Sequence, residues 1–191
     1  MSPHRYEQTS GHLRSRGLPA AICLLSFLTL LLEPSLAFAG PVRSLQEIRH
    51  EGVVIQKWDT SCGAAALATV ITYSLNDPVS EREVASGMLR MTEPLKVKHR
   101  GGFSYLDMKR FAELRGYKGQ GYRELTLDSL LQLDGPIVPI VQYGNPHFVV
   151  VRGVDRRGKL KLADPSFGNR TMSVEHFTAV WKARIGFVVT R

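Results

Sequence analysis

The segment Gln56-Lys57-Trp58-Asp59-Thr60-Ser61-Cys62-Gly63-Ala64-Ala65-Ala66-Leu67-Ala68 places a thiol where an apolar, alanine-rich helix begins. The positive end of a helix dipole favours the thiolate, which is the nucleophilic form of cysteine. Cys62 is therefore a candidate nucleophile. A cysteine hydrolase also needs a base that later acts as an acid, a group to orient that base, and donors for a developing oxyanion. The sequence offers one of each. His147 opens an apolar β-run just after Asn145-Pro146, and Asp164 closes the next run. Gln56 stands six residues before Cys62, where its side-chain amide and the Cys62 backbone N–H could converge on a carbonyl oxygen.

Each residue taken alone has a plainer reading. A free cysteine packs well as a small hydrophobe, a histidine at a strand end is often only a strand end, and Asp164-Pro165 is also a turn signal. What favours chemistry is the set. If the runs at 147–154 and 159–164 pair as an antiparallel hairpin, the start of one and the end of the other meet at the same end of the sheet. The imidazole and the carboxylate then become neighbours, although the register is not fixed by the sequence.

The elements that must hold these residues fall in blocks. Residues 61–75 are apolar almost all round, which marks a buried central helix, and Asn76-Asp77-Pro78 ends it. Ser80 with Glu83 forms a capping-box pattern that opens a second, short helix carrying Val84, Met88 and Leu89. A basic loop and Gly101-Gly102 follow, then a helix capped by Ser104 and stopped by Gly116. A smaller helix is predicted over 126–133. The period then changes to that of strands at 136–143, 147–154 and 159–164, with Asp155-Arg156-Arg157-Gly158 as the hairpin turn. A helix at 173–181 and a strand at 185–190 complete the chain. Helices first and strands second define an α+β fold.

Residues 1–39 read as a cleaved signal peptide: Arg5, Arg14 and Arg16 precede an apolar stretch from Leu18 to Leu32, and Ala37-Phe38-Ala39 supplies a small-x-small site before Gly40. The stretch is short for a membrane span, which needs about 20 residues, and no stable span is expected after it. Residues 40–191 then form one domain, periplasmic or secreted, large enough to fold around its own core. Of the two cysteines, Cys23 lies in the leader, so the exported part carries a single thiol. Oxidising compartments favour even cysteine counts, so the odd thiol calls for a chemical explanation. The whole chain has a formal net charge of +8, spread along its length without an aromatic-interleaved basic stripe, which argues against nucleic acid. His50, His99 and His176 show no metal-ligand spacing, and no metal or organic cofactor is expected. Trp58 and Trp181 read as core or pocket-wall aromatics, and Tyr143 and Phe167 as candidates to line a substrate groove.

Gln-x5-Cys-Gly-Ala-Ala-x-Leu-Ala, followed by His-Phe-Val-Val-Val and then Ala-Asp-Pro, resembles the bacteriocin-processing, or double-glycine, cysteine peptidase family. Tyr105-Leu106-Asp107-Met108-Lys109-Arg110-Phe111-Ala112 with Gly116-Tyr117-Lys118 extends the likeness, which covers roughly residues 50–190. The resemblance implies a papain-like fold, with Cys62 as nucleophile, His147 as general base and acid, Asp164 as orienter and Gln56 as oxyanion donor. It also implies cleavage of a peptide or protein after small residues, glycine above all. Two departures stand out. Family members often carry Asp just before the nucleophile, where this chain has Ser61, and many are front domains of membrane exporters, whereas no phosphate-binding loop occurs here.

A stand-alone, monomeric, exported member serving a secretion or surface-assembly system is the expectation. A cell-wall amidase of another papain-like family is the rival enzyme, though its usual Asp-Cys-Ser-Gly motif is absent, and a peptide-binding module that does not cut is the rival outside enzymes. Gly101-Gly102 resembles a family cleavage site but is better explained as a turn.

Overall fold

The computed structural model describes residues 42–191, so the signal peptide expected over residues 1–39 lies outside the described residues. Helix α1 (Leu45–His50) is opened by a capping box of Ser44 and Glu47. Helix α2 (Cys62–Thr69), which begins at the candidate nucleophile, runs on into a π-helical turn, Val70–Ser74. Asn76, in a left-handed conformation at φ 53°, turns the chain away. Helix α3 (Glu81–Leu89) starts at the predicted capping box of Ser80 with Glu83, and α5 (Tyr105–Leu114) starts at the predicted Ser104 cap, which proves to be a box with Asp107. Between them lies α4 (Pro94–Arg100), in the stretch expected to be a basic loop. Pro94 pre-sets the first turn, Lys98, His99 and Arg100 complement the dipole at the last, and Gly101 at φ 75° ends it. The Gly101–Gly102 pair is thus a helix terminator, and Gly102 passes close to the Thr60 carbonyl.

Among the described residues, six antiparallel strands form one sheet: β1 (Lys118–Tyr122), β2 (Ile137–Gln142), β3 (Asn145–Val154), β4 (Leu160–Asp164), β5 (Gly168–Met172) and β6 (Gly186–Thr190). Their order across the sheet is β1-β6-β2-β3-β4-β5. Helix α6 (Leu127–Leu131) precedes β2, and α7 (Val174–Val180) links β5 to β6. The two edge strands, β1 and β5, are additions to the sequence reading. Lys-Gly-Gln-Gly-Tyr and Gly-Asn-Arg-Thr-Met lack the apolar alternation that marks a strand, and ladder pairing with β6 and β4 shapes them instead.

Alternation along the strands divides the core into two layers. Ile137, Val150, Ala163 and Phe187 pack with Leu67, Ile71, Met88, Met108 and Phe111 of the helical half. Val138, Val149, Val151 and Leu162 pack on the other side with Leu130, Phe177 and Trp181. Trp181 is fully buried and its indole N–H donates to the Ile185 carbonyl, 2.9 Å. No helix among the described residues is long and apolar enough to cross a membrane.

Candidate active site

Helix α2 is fixed before it does anything else. Ala64, Ala65, Ala66, Leu67 and Ala68 are all fully buried, and the Thr69 hydroxyl donates to the Ala65 carbonyl while accepting the Val54 N–H. Any side chain at position 63 would run into Met108 and meet Phe148 and Phe103, so glycine there lets the helix lie close against α5 and β3. Cys62 is the first residue of this rigid element, 8% exposed, and is unpaired.

The hairpin of β3 and β4 supplies the other two groups. Val150 pairs with Ala163, so continuation of that register sets Asp164 opposite Val149 and diagonal to His147 on the same face, a separation long side chains span. His147 Nε2 and Asp164 Oδ1 are 2.7 Å apart in a buried hydrogen bond. That bond leaves the other ring nitrogen, Nδ1, open, and the Cys62 thiol is near enough to the ring to favour its charged form. Burial alone would disfavour a charged imidazole. The bonds to Asp164 and Cys62 outweigh it and carry the His147 pKa up to about 9.

Asp164 is fully buried and opposed by two cations. Burial pushes its carboxyl up, but the His147 hydrogen bond, the nearby charges of His147 and Arg170, and the Ser166 N–H at 2.8 Å together hold it below the usual carboxylate range. Arg170 brings Nη2 to 2.5 Å from Asp164 Oδ2 and donates from the same nitrogen to Gln142 Oε1, 2.6 Å. The Asp164 contact is an ion pair rather than a directed hydrogen bond, since Oδ2 has no well-aligned donor. Arg170 is the participant that sequence reading missed, because the strand that carries it has no strand pattern.

Gln56 is tied to this cluster through the backbone. Its N–H donates to the Pro165 carbonyl, 2.8 Å, beside Asp164. Its side-chain Oε1 accepts from the Ser166 hydroxyl, 3.1 Å, and Nε2 donates to the Trp58 carbonyl, 3.1 Å. One Nε2 hydrogen remains for a ligand. Ser61, in the position where family members often carry Asp, makes no side-chain cap bond to α2, so it does not occupy the N–H groups of the helix's first turn.

Beside these residues lies a recess lined by Trp58, Thr60, Ser61, Leu89, Val97 and Phe103. Trp58 is half exposed and forms part of its wall. On the other side, Tyr143 and Phe167 share a recess with Arg49 and Arg170, and the Arg170 guanidinium lies over the Phe167 ring. His176 lines a recess with Tyr143 rather than joining the cluster of His147 and Asp164. Among the described residues no group of three or more His, Cys, Asp or Glu is placed to hold a metal.

A helix-borne thiol, an imidazole bonded to a buried carboxylate on an antiparallel sheet, and an amide on the approach to the thiol define the class: a cysteine-type peptidase of papain-like architecture. The Peptidase C39 family model matches residues 50–190, and the chain belongs to that family. It is 36% identical over 149 residues to a protein of Pseudomonas aeruginosa named probable functional amyloid protease FapD, covering 78% of this chain and 65% of that one. A protein of the same name from Pseudomonas fluorescens is 39% identical over 141 residues, 73% of this chain and 61% of that one. The matched region thus spans a little under two thirds of the length of these relatives. Among solved structures, a double glycine motif protease from an AMS/PCAT transporter, in complex with the leader peptide, superposes with a TM-score of 0.56 at 26% identity, covering 72% of this chain and 89% of that one.

Proposed function

We propose that this chain is an exported peptidase that cleaves after small residues, with Gly-Gly preferred, through an acyl-enzyme on Cys62. The observation that carries the reading is the buried hydrogen bond of His147 to Asp164, with the thiol of Cys62 at a helix start close enough to favour the charged ring. His147 takes the Cys62 proton and the thiolate attacks the peptide carbonyl, while the Cys62 backbone N–H and the free Nε2 hydrogen of Gln56 stabilise the oxyanion. The imidazolium then protonates the leaving amine. In deacylation His147 takes a proton from water and returns it to the thiol as the acyl group departs.

The Gly-Gly preference is supported by the likeness to a double glycine motif protease. A role in a surface-assembly system that handles a functional amyloid is supported by the names of the two Pseudomonas relatives. Export rests on the leader pattern at residues 1–39.

The purified protein, given peptides that differ only in Gly-Gly, Ala-Ala or Leu-Leu at the scissile position, is expected to release the Gly-Gly product fastest and to lose all turnover on Cys62→Ala with its fold unchanged by circular dichroism. Turnover that survives Cys62→Ala removes the nucleophile assignment, and equal rates on the three peptides remove the glycine preference.

A further inference from the structure

We infer that Glu81 is a positioning residue for the oxyanion side of this site: it braces the segment Gln56 to Ser61 from the neighbouring helix. The inference rests on the acyl-enzyme reading above. Glu81 is the first residue of α3 and only 3% exposed, an unusual setting for a carboxylate. Its Oε1 accepts the Lys57 N–H at 2.9 Å and lies 2.5 Å from the Ser61 hydroxyl. Its Oε2 is buried with no partner at all.

An orphaned buried oxygen is a cost that an apolar residue at this position would avoid. What Glu81 contributes therefore lies in what Oε1 holds. It holds the two ends of one short loop. Within that loop the Trp58 carbonyl is a hub, accepting from the Ser61 N–H at 3.2 Å and Gln56 Nε2 at 3.1 Å, and it lies 2.7 Å from the Ser61 hydroxyl, whose one proton is shared between this carbonyl and Glu81 Oε1. The chain of contacts runs from Glu81 to Ser61, to the Trp58 carbonyl, to the Gln56 amide. It also keeps the Ser61 hydroxyl turned away from the first turn of α2, whose N–H groups it does not cap. Glu81 touches no reacting atom. It sets where the Gln56 amide stands relative to Cys62, while His147 and Asp164 are held independently by β3 and β4.

That separation makes the test specific. Loss of an oxyanion donor costs about 10²–10³-fold in rate, whereas alkylation of Cys62 by iodoacetamide forms no oxyanion and reads only the thiol and His147. For Glu81→Ala, kcat on a Gly-Gly aminocoumarin peptide is expected to fall about 10–100-fold with KM within about twofold, while the alkylation rate stays within about twofold. Glu81→Gln keeps an oxygen acceptor for Lys57 and Ser61 and is expected to restore kcat to within about threefold. In the Gln56→Ala background, Glu81→Ala is expected to add little, because both changes act on one donor.

Unchanged kcat in Glu81→Ala overturns the inference. So does a parallel fall in turnover and alkylation, which means general loosening, and so does full additivity with Gln56→Ala. If Glu81→Ala does not fold, Ser61→Ala removes one hydroxyl from the same brace and is read by the same criteria. Turnover that survives Cys62→Ala sinks the underlying reading instead, independently of any result at Glu81.

Discussion

At the scale of single residues, the site is a chain of charges with His147 at its centre. Asp164, itself held below the usual carboxylate range, favours the imidazolium, and the His147 pKa lies near 9 rather than at its ordinary value of 6.5. The protonated ring is what the leaving amine needs, so the alkaline limb of kcat/KM is expected near pH 9. The sign follows from the shift: a raised histidine pKa keeps the cation present below it and loses the cation as pH rises through it. Asp164→Asn removes the charge that raises it. The alkaline limb should then move down toward 6.5 and kcat should fall by about 10²-fold or more, as seen in a pH series of peptide hydrolysis. An unmoved limb would mean that Asp164 does not govern the ring.

Residue types were readable from the chain because chemistry restricts them: Cys62, His147, Asp164 and Gln56 stand in patterns that few structural needs would produce together. Arg170 and Glu81 were not readable. An arginine in a glycine-bounded polar stretch carries no strand signal, and a glutamate in the first turn of a helix is already explained by the helix dipole. Only the packing of α3 against α2 shows that Glu81 is buried. Ser61 was visible as a departure from the family pattern, but its partner was twenty residues away in sequence.

At the scale of elements, the capping residues Ser80 and Ser104 located two helices, because a side-chain oxygen before an amphipathic run is a local signal, and the structure shows the same kind of cap at Thr126 and Ser173. Helix α4 escaped because its charged residues resemble a loop while only Val97 is buried. The two edge strands escaped because pairing, not composition, defines them. Register also came only with the structure, since the β3–β4 ladder contains an irregularity between Val151 and Val154, where Gly153 adopts φ 91°.

The turn from β4 to β5 has a stability consequence. Gly168 adopts φ 77°, and a Cβ there would strike the Arg49 carbonyl of α1. Gly168→Ala is therefore expected to destabilise the fold by about 1–3 kcal/mol, measured by urea denaturation. A midpoint equal to that of the unsubstituted protein would show that α1 moves aside freely.

At the scale of the whole molecule, the helical half carries the thiol and the sheet carries the imidazole and carboxylate, so folding itself assembles the proposed catalytic set. Both halves are stitched close to the site: Gln56 pairs with Pro165 across them, and Asn169 donates to the Glu51 carbonyl, 2.7 Å. The α+β division was legible in the block pattern of the sequence, because helical and strand periods do not overlap along the chain. What the pattern did not contain was the six-strand order, which places the last strand, β6, between β1 and β2 and depends on long-range pairing alone.

The most direct test of the account is mass spectrometry of the protein quenched in acid during turnover of a Gly-Gly peptide ester. The account predicts a transient mass increase equal to the acyl half of the substrate, mapped to Cys62, absent in Cys62→Ala and formed far more slowly in His147→Ala. Turnover with no adduct at Cys62, or an adduct whose rate is indifferent to His147, would contradict it.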